Sequence, residues 1–574
     1  MLIDSLPIDL IVYIIETGDL TIKDVFNLYQ LERSLRNSFS VYFWIKIYDI
    51  FWNRPMAPYG LKITPQSKSP YDLCRDLYHR YLKFENDLVR YNPDQEEGEV
   101  IENFIVNYGM NEVYLPVLLH FLNKEQQNYE SAIKKKEPYI DITKLSLLTN
   151  LIQMQTFSLG YKNIIKSMNS KVISSYEAIW FNISLLNKSS YRMVTRRHKN
   201  LKQLQLKLRR VLTLESPNFR SSTESFTSIF SDKSIRSNQI LHFEFENNND
   251  YLNLIVKLII AVLHFFKFDS IHSTEHSYIE DFDILKVYSG YCKGDEMIKY
   301  SIIMEAIRDA LASCRIDIGG NQVSLSHMAV TRFGIRINKD YQVIISNAPH
   351  RSFKIEVLSS YELKRHIRLT YNLSPEKIEK YCQPLSIKHI LRSYMTINKD
   401  SIKRNQDLLA DGNHQKIVPS ETYHIHFLQN SVIYDILHPE ENRQLELFSD
   451  SHYLIYRTLF KALAIDTIAG SYPSLKRYNC DGGNGAESFN VGSIVVNKRT
   501  NSIGIVLNKC DDYYRLLTIK RDIEKVSSIR KLNTNELTNE RLLLIIELIG
   551  LDILGLYYFK GISFDSDDNL RFVP

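Results

Sequence analysis

The chain lacks paired cysteines. Its 6 cysteines (Cys74, Cys292, Cys314, Cys382, Cys480, Cys510) are scattered and no two stand in a CxxC pair. That excludes a disulfide scaffold and a cysteine zinc module, and it fits a reducing compartment. A charge excess is also missing: 71 basic residues meet 66 acidic ones, for a net charge of +5 over 574 residues. So even a balance gives no electrostatic case for nucleic-acid binding. Long apolar runs are interrupted. Tyr251–Phe268 contains Asn253, Lys257 and His264, and Leu542–Phe559 contains Glu547 and Asp552. Both read as buried core elements, and no membrane span is expected. Asp4 and Asp9 stand where a secretory leader would carry basic residues, so no leader is expected. Phosphate-loop, dinucleotide and kinase motifs are absent, and Asp481-Gly482-Gly483-Asn484-Gly485 has no strand-then-helix setting and reads as a linker. His424 and His426 are two apart with no third ligand close by, so neither a metal nor a cofactor is expected.

What is present begins in the first fifty residues. Pro7 suits the first turn of a helix, where its missing N–H costs nothing, and Asp9 puts a carboxylate at the positive end of the helix dipole. Leu10, Ile11, Ile14 and Ile15 recur at three- and four-residue spacing and make one apolar stripe. Gly18 is the expected stop. Thr21 opens a second helix with Asp24 three residues on, a capping pair, and Ile22, Val25, Phe26 and Tyr29 form its apolar face. Three helices in about fifty residues bury little core of their own, so this unit should complete its core against another body. That body is either the rest of the chain or a partner.

Leu6-Pro7, the apolar helix Leu10 to Ile15, Asp19-Leu20 and Phe43-Trp44 follow one another as in the F-box, and residues 2–52 resemble that family. The resemblance implies docking onto the Skp adaptor, and through it a cullin, of SCF-type ubiquitin ligases. The residues it assigns to adaptor binding are Leu6, Pro7, Leu10, Ile11, Ile14, Ile15, Leu20 and Trp44.

Residues 53–108 read as a connector with a helix over Tyr71–Leu88 and an acidic loop at Asp94–Glu99. From Ile101 to Leu212 the pattern is mostly helical. Arg192–Arg210 is rich in Lys and Arg around an apolar line of Leu201, Leu204, Leu208 and Val211. It reads as an amphipathic helix with a solvated charged face, the alternative being a basic helix for an acidic partner or a membrane surface. Residues 216–238 are Ser-rich and read as a flexible insertion. Beyond Leu241 helices alternate with short strands, Val323–Val330, Gly334–Ile337 and Tyr341–Ile345, and helices then run to about Gly470. After the linker the texture turns to strand at Gly492–Val496, Gly504–Leu507 and Tyr513–Ile519.

Two more resemblances cover these parts. Val343-Ile344-Ile345, Asn347-Ala348-Pro349, Ser359-Ser360-Tyr361-Glu362-Leu363 and His389-Ile390-Leu391-Arg392-Ser393-Tyr394-Met395 are similar to the SirB family, which has a transglutaminase-like fold. Phe489-Asn490-Val491-Gly492, Lys498-Arg499, Gly504-Ile505-Val506, Asp511, Gly555-Leu556-Tyr557-Tyr558-Phe559 and Phe572-Val573-Pro574 resemble the YccV-like domain, a small β-barrel. Asn497 replaces that family's histidine.

The expected organisation is therefore multidomain α+β. It runs as an F-box (1–52), a connector (53–108), a mostly helical transglutaminase-like region (109–480) and a YccV-like β domain (486–574). A transglutaminase-like fold implies a search for a Cys-His-Asp triad, and Cys292, His327 and Asp340 stand in the right order. Cys292 does not open a helix and Ser326 replaces the usual glycine before the histidine, so the domain reads as non-catalytic. The expected function is that of a non-catalytic substrate receptor in the cytosol, in the nucleus or at the endosome, presenting a protein client for ubiquitination. The alternatives are a Skp-bound protein that sequesters a Rab-type GTPase in endosomal or vacuolar trafficking, and a thiol hydrolase using Cys292.

Overall fold

The computed structural model describes residues 7–31, 39–61, 69–91, 104–216, 241–268, 279–348, 352–397 and 489–573, apart from single residues and short pieces within them. The acidic loop, residues 217–238 of the Ser-rich stretch, His424, His426, nearly all of the helices expected up to about 470, and the Asp481–Gly485 linker lie outside the described residues.

Helix α1 (Ile8–Thr17) begins after Pro7 and ends at Gly18, whose N–H donates to the Ile14 carbonyl at 2.8 Å. A Cβ at Gly18 would stand 2.6 Å from that carbonyl oxygen, so glycine fits the stop. In α2 (Ile22–Leu31) the Thr21 N–H donates to Asp24 Oδ2 at 2.8 Å and the Asp24 N–H to Thr21 Oγ1 at 3.3 Å, a reciprocal cap. Helix α3 (Val41–Tyr48) is capped by Ser40 and runs on into a π turn, Asp49–Asn53. Next come α4 (Pro70–Arg90), α5 (Leu115–Lys135), β1 (Ile140–Asp141) and α6 (Thr143–Met168).

The middle of the chain holds α7 (Tyr176–Leu185), α8 (Tyr191–Glu215), β2 (Leu241–Phe245), α9 (Asn248–Phe266), α10 (Ile284–Tyr288) and α11 (Glu296–Ala312). There follow β3 (Cys314–Ile318), β4 (Asn321–Gln322), β5 (Ala329–Thr331), β6 (Gly334–Arg336), β7 (Tyr341–Ala348), β8 (Ser352–Ser359), α12 (Ser360–Tyr371), α13 (Pro375–Cys382) and α14 (387–397). The tail adds β9 (Ile494–Asn497), β10 (Ile503–Cys510), β11 (Tyr513–Thr518), β12 (Ile523–Val526), β13 (Ile529–Lys531), α14's successor α15 (Asn539–Ile549), β14 (Gly561–Phe564) and β15 (Leu570–Val573). The fold is multidomain α+β, with helix outweighing several small sheets.

The chain divides into two compact units. One comprises Met1–Ser158, Ile402–Ser431 and Pro439–Pro574; the other comprises Leu159–Ser401 and Val432–His438. The division falls inside α6, within the stretch 109–480 that the sequence reads as one region.

In the first unit the N-terminal helices complete their core on α4. The Phe26 and Tyr78 rings stack at 4.2 Å, Trp44 lies 5.4 Å from Phe26 and 4.9 Å from Tyr71, and Cys74 Sγ donates to the Trp44 carbonyl at 3.7 Å. The stretch read as a connector thus supplies a wall of this core. Strand β14 pairs with β1 (Ile562 opposite Ile140) and with β15. Gln126 of α5 donates to Glu547 of α15 at 3.0 Å.

The small β-barrel implied by the YccV-like resemblance is not what these strands build. The five-stranded antiparallel sheet runs β12-β11-β10-β9-β13 and is open: its end strands do not pair with each other. The strands that might have closed it, β14 and β15, use their edge on β1 instead. They touch the five-stranded sheet through Gly492, whose carbonyl accepts from the Phe572 N–H at 2.9 Å, and through a single bridge between Ser493 and Arg571.

In the second unit α11 is the central element, buried along nearly its whole length. Trp180 Nε1 donates to Ser301 Oγ at 3.1 Å, and the Tyr300 hydroxyl to the Ile345 carbonyl at 3.1 Å. Strands β2 and β3 are parallel; β5 to β8 form an antiparallel meander, and α12 covers it with Leu363 and Ile367. The strand expected over Val323–Val330 is confined to Ala329–Thr331. Leu325–His327 form a 3-10 turn, where the Ser324 and Ser326 hydroxyls bond each other at 2.7 Å. Within the core, Arg197 grips Glu177 bidentately, both bonds at 2.6 Å, with its guanidinium 3.8 Å from the Phe181 ring.

Candidate protein-docking site

Helices α1 and α3 lie side by side and point the same way. The Tyr42 hydroxyl at the start of α3 donates to Asp9 at the start of α1, at 3.2 Å. Beyond the end of α3, Arg54 pairs with Glu16 at the end of α1 and with Asp49 at 3.4 Å. Two exposed polar ties therefore join the helices near both ends.

The apolar stripe of α1 splits in two. Ile11 and Ile15 are 4% and 3% exposed and belong to the molecule's own core. Leu10 and Ile14, at 42% and 41%, face out together with Tyr13 and the exposed Pro7. Helix α3 splits likewise: Phe43, Trp44 and Ile47 are buried, whereas Val41, Tyr42 and Ile45 are exposed. Six large apolar side chains on two neighbouring helices, three on one face of each, are thus left in water. Exposed apolar residues grouped on one face of a helix, rather than scattered singly, are the kind of surface that interaction sites use.

Of the eight residues the sequence assigned to adaptor docking, Pro7, Leu10 and Ile14 share this surface. Ile11, Ile15 and Trp44 are inside, Leu20 is half-buried, and Leu6 lies outside the described residues. Tyr13, Val41, Tyr42 and Ile45 were missed. Their signal was available in the spacing: Val41 and Tyr42 with Ile45 make a second stripe, opposite Phe43, Trp44 and Ile47.

The groups considered for thiol chemistry offer Cys292 no activation. Burial, with Asp283 and Asp281 adding to it, holds the Cys292 thiol far above the ordinary range, and Lys286 and the Gly294 N–H do not offset them. A nucleophilic cysteine needs the opposite influence. His327 and Asp340 are both exposed, His327 on the 3-10 turn and Asp340 in the turn before β7, where its N–H is held by Asn338. Among the described residues no group of three or more His, Cys, Asp or Glu side chains could hold a metal ion. Helix α9 is the one described helix long and apolar enough to cross a membrane, and nine of its residues, Tyr251 to Leu263, are buried in the second unit's core.

No family model, curated protein or solved structure matches the chain.

Proposed function

We propose that the outward face of α1 and α3 docks a Skp-type adaptor, and that the chain acts as a non-catalytic substrate receptor of an SCF-type ubiquitin ligase. The supporting observation is the exposure of Leu10, Tyr13 and Ile14 on α1 and of Val41, Tyr42 and Ile45 on the neighbouring α3, in a segment whose sequence resembles the F-box. Burying such side chains contributes about 1.5–3 kcal/mol each for full burial, before the cost of association. The rest of the chain would hold the client. Ubiquitination would then follow from proximity, with client and charged enzyme at high effective concentration.

The test is co-purification of the full chain with the adaptor. Leu10→Asp with Ile14→Asp removes two half-exposed anchors and should abolish recovery of the adaptor, with circular-dichroism melting used to confirm that the chain stays folded at the assay temperature. Adaptor recovery unchanged in that variant overturns the reading. Recovery of the adaptor with a Rab-type GTPase and no cullin would replace the receptor role by sequestration.

A further inference from the structure

We propose that the outer faces of α8 and α9 form a docking surface for an anionic phospholipid bilayer. The two helices lie antiparallel and adjacent. Lys257 of α9 bonds Glu215 of α8 at 2.7 Å, and at the other end Lys207 Nζ of α8 lies 5.8 Å from the centre of the Phe265 ring of α9. Their inward faces carry Leu204, Leu208 and Leu212, and Leu258, Ile259 and Val262, all buried.

The outward stripe of α8 reads Lys199, Lys202, Gln203, Leu206, Arg210 and Leu214, and that of α9 reads Lys257, Ile260, His264 and Lys267; every one of these is exposed. Helix α8 contains a single acidic residue, Glu215, and that carboxylate is already bonded by Lys257. Among the described residues the acidic group on these two outward faces is Asp250, at the N-terminal end of α9; the stretches from Lys199 to Arg210 on α8 and from Lys257 to Lys267 on α9 carry no acidic side chain. Arg197, turned inward to Glu177, takes no part.

Charge alone would suit any acidic partner. The aliphatic residues decide between them. Leu206, Leu214 and Ile260 are 59%, 52% and 40% exposed, and they stand among the basic side chains rather than apart from them. At a bilayer surface these groups enter the acyl boundary while the long Lys and Arg side chains keep their charges at headgroup level. A carboxylate-rich protein would satisfy the charges and leave the leucines against polar groups. The surface lies in the second unit, away in sequence from α1 and α3, so it does not depend on adaptor docking.

The experiment is flotation of the full chain with vesicles of phosphatidylcholine alone or containing phosphatidylserine. The chain should float only with the phosphatidylserine vesicles and be released in about 1 M salt, where screening extends to about 3 Å. Lys199→Glu, Lys202→Glu and Arg210→Glu together should lower partitioning on the order of 100-fold, from roughly fivefold per basic residue. Leu206→Ser with Ile260→Ser should weaken binding while leaving its salt dependence intact. Circular-dichroism melting of each variant checks that it is folded, and flotation is read below the onset of its melting. No flotation of the parent, equal flotation with uncharged vesicles, or retention on polyglutamate but not on vesicles would each overturn the proposal.

Discussion

Replace Leu10 and Ile14 by alanine in one variant, and Ile11 and Ile15 in another. The two pairs are neighbours on one ten-residue helix and have nearly the same chemistry, yet the structure assigns them opposite jobs. Ile11 and Ile15 are almost wholly buried, so each truncation should destabilise by about 2–5 kcal/mol through lost transfer energy and the cavity left behind. Two together approach the roughly 5–15 kcal/mol that holds a typical domain folded. Leu10 and Ile14 already expose about two-fifths of their surface. Truncating them should cost the first unit less, about 0.9–1.8 kcal/mol each for the three-fifths that is already buried, with no sealed cavity left behind. Their exposed part becomes available to a partner, worth about 0.6–1.2 kcal/mol each, so the pair should weaken adaptor binding by roughly 10- to 50-fold. Urea unfolding followed by tryptophan fluorescence reads the first quantity, because Trp44 and Trp52 sit in this core; titration with purified adaptor reads the second. If the Leu10/Ile14 variant is as destabilised as the Ile11/Ile15 variant, the face is internal and the docking argument fails.

Other expectations are equally direct. Arg197→Met should destabilise the second unit by about 3–5 kcal/mol by stranding the Glu177 carboxylate, whereas Arg197→Met with Glu177→Leu should recover most of that in denaturant titration. Burial pushes the Glu305 carboxyl up to about 7, against the pull of Arg308 and with Asp309 and Glu177 adding to the rise. The folded form then binds more protons than the unfolded one above the ordinary glutamate range, so stability should fall as pH rises from about 4.5 to about 7 and level off above; Glu305→Gln should remove that slope in a pH series of unfolding curves. Gly492 has φ +84, and a Cβ there would stand 1.9 Å from the Phe572 carbonyl oxygen, so Gly492→Ala should lose about 2 kcal/mol or more and loosen the β14–β15 hairpin to hydrogen exchange.

Local chemistry made much of the fold legible. Thr21 and Asp24 announced their helix and cap each other as the spacing required, and Pro70 after Ser69 opened α4 within a residue of the expected start. The docking face was only half legible. Leu10, Ile11, Ile14 and Ile15 fall within one arc of a helix, and periodicity cannot say which half meets the chain's own core. That is decided by neighbours distant in sequence: α1 lies against α3, tied by Tyr42 to Asp9 across 33 residues, and spacing within α1 carries no record of that contact. The barrel failed for a related reason. Alternation in Gly492–Val496 and Tyr513–Ile519 specifies strands but not their neighbours, and the pairing of Ile562 with Ile140 has no local signature.

That last pairing has a bearing on how the molecule is made. Gln126 and Glu547 touch although they are 421 residues apart, so α5 and β1 emerge from the ribosome long before the segments that cover them exist. Closing so long a loop adds only slowly to the entropic penalty, but it sets an order of events: the first unit cannot mature until α15 and β14 have been made. In that interval Gln126 and Ile140 lack their native partners from the tail, and the nascent chain should lean on chaperones. A truncated product ending before β14 would leave that requirement permanent and should be cleared by cellular quality control rather than accumulate as a working fragment.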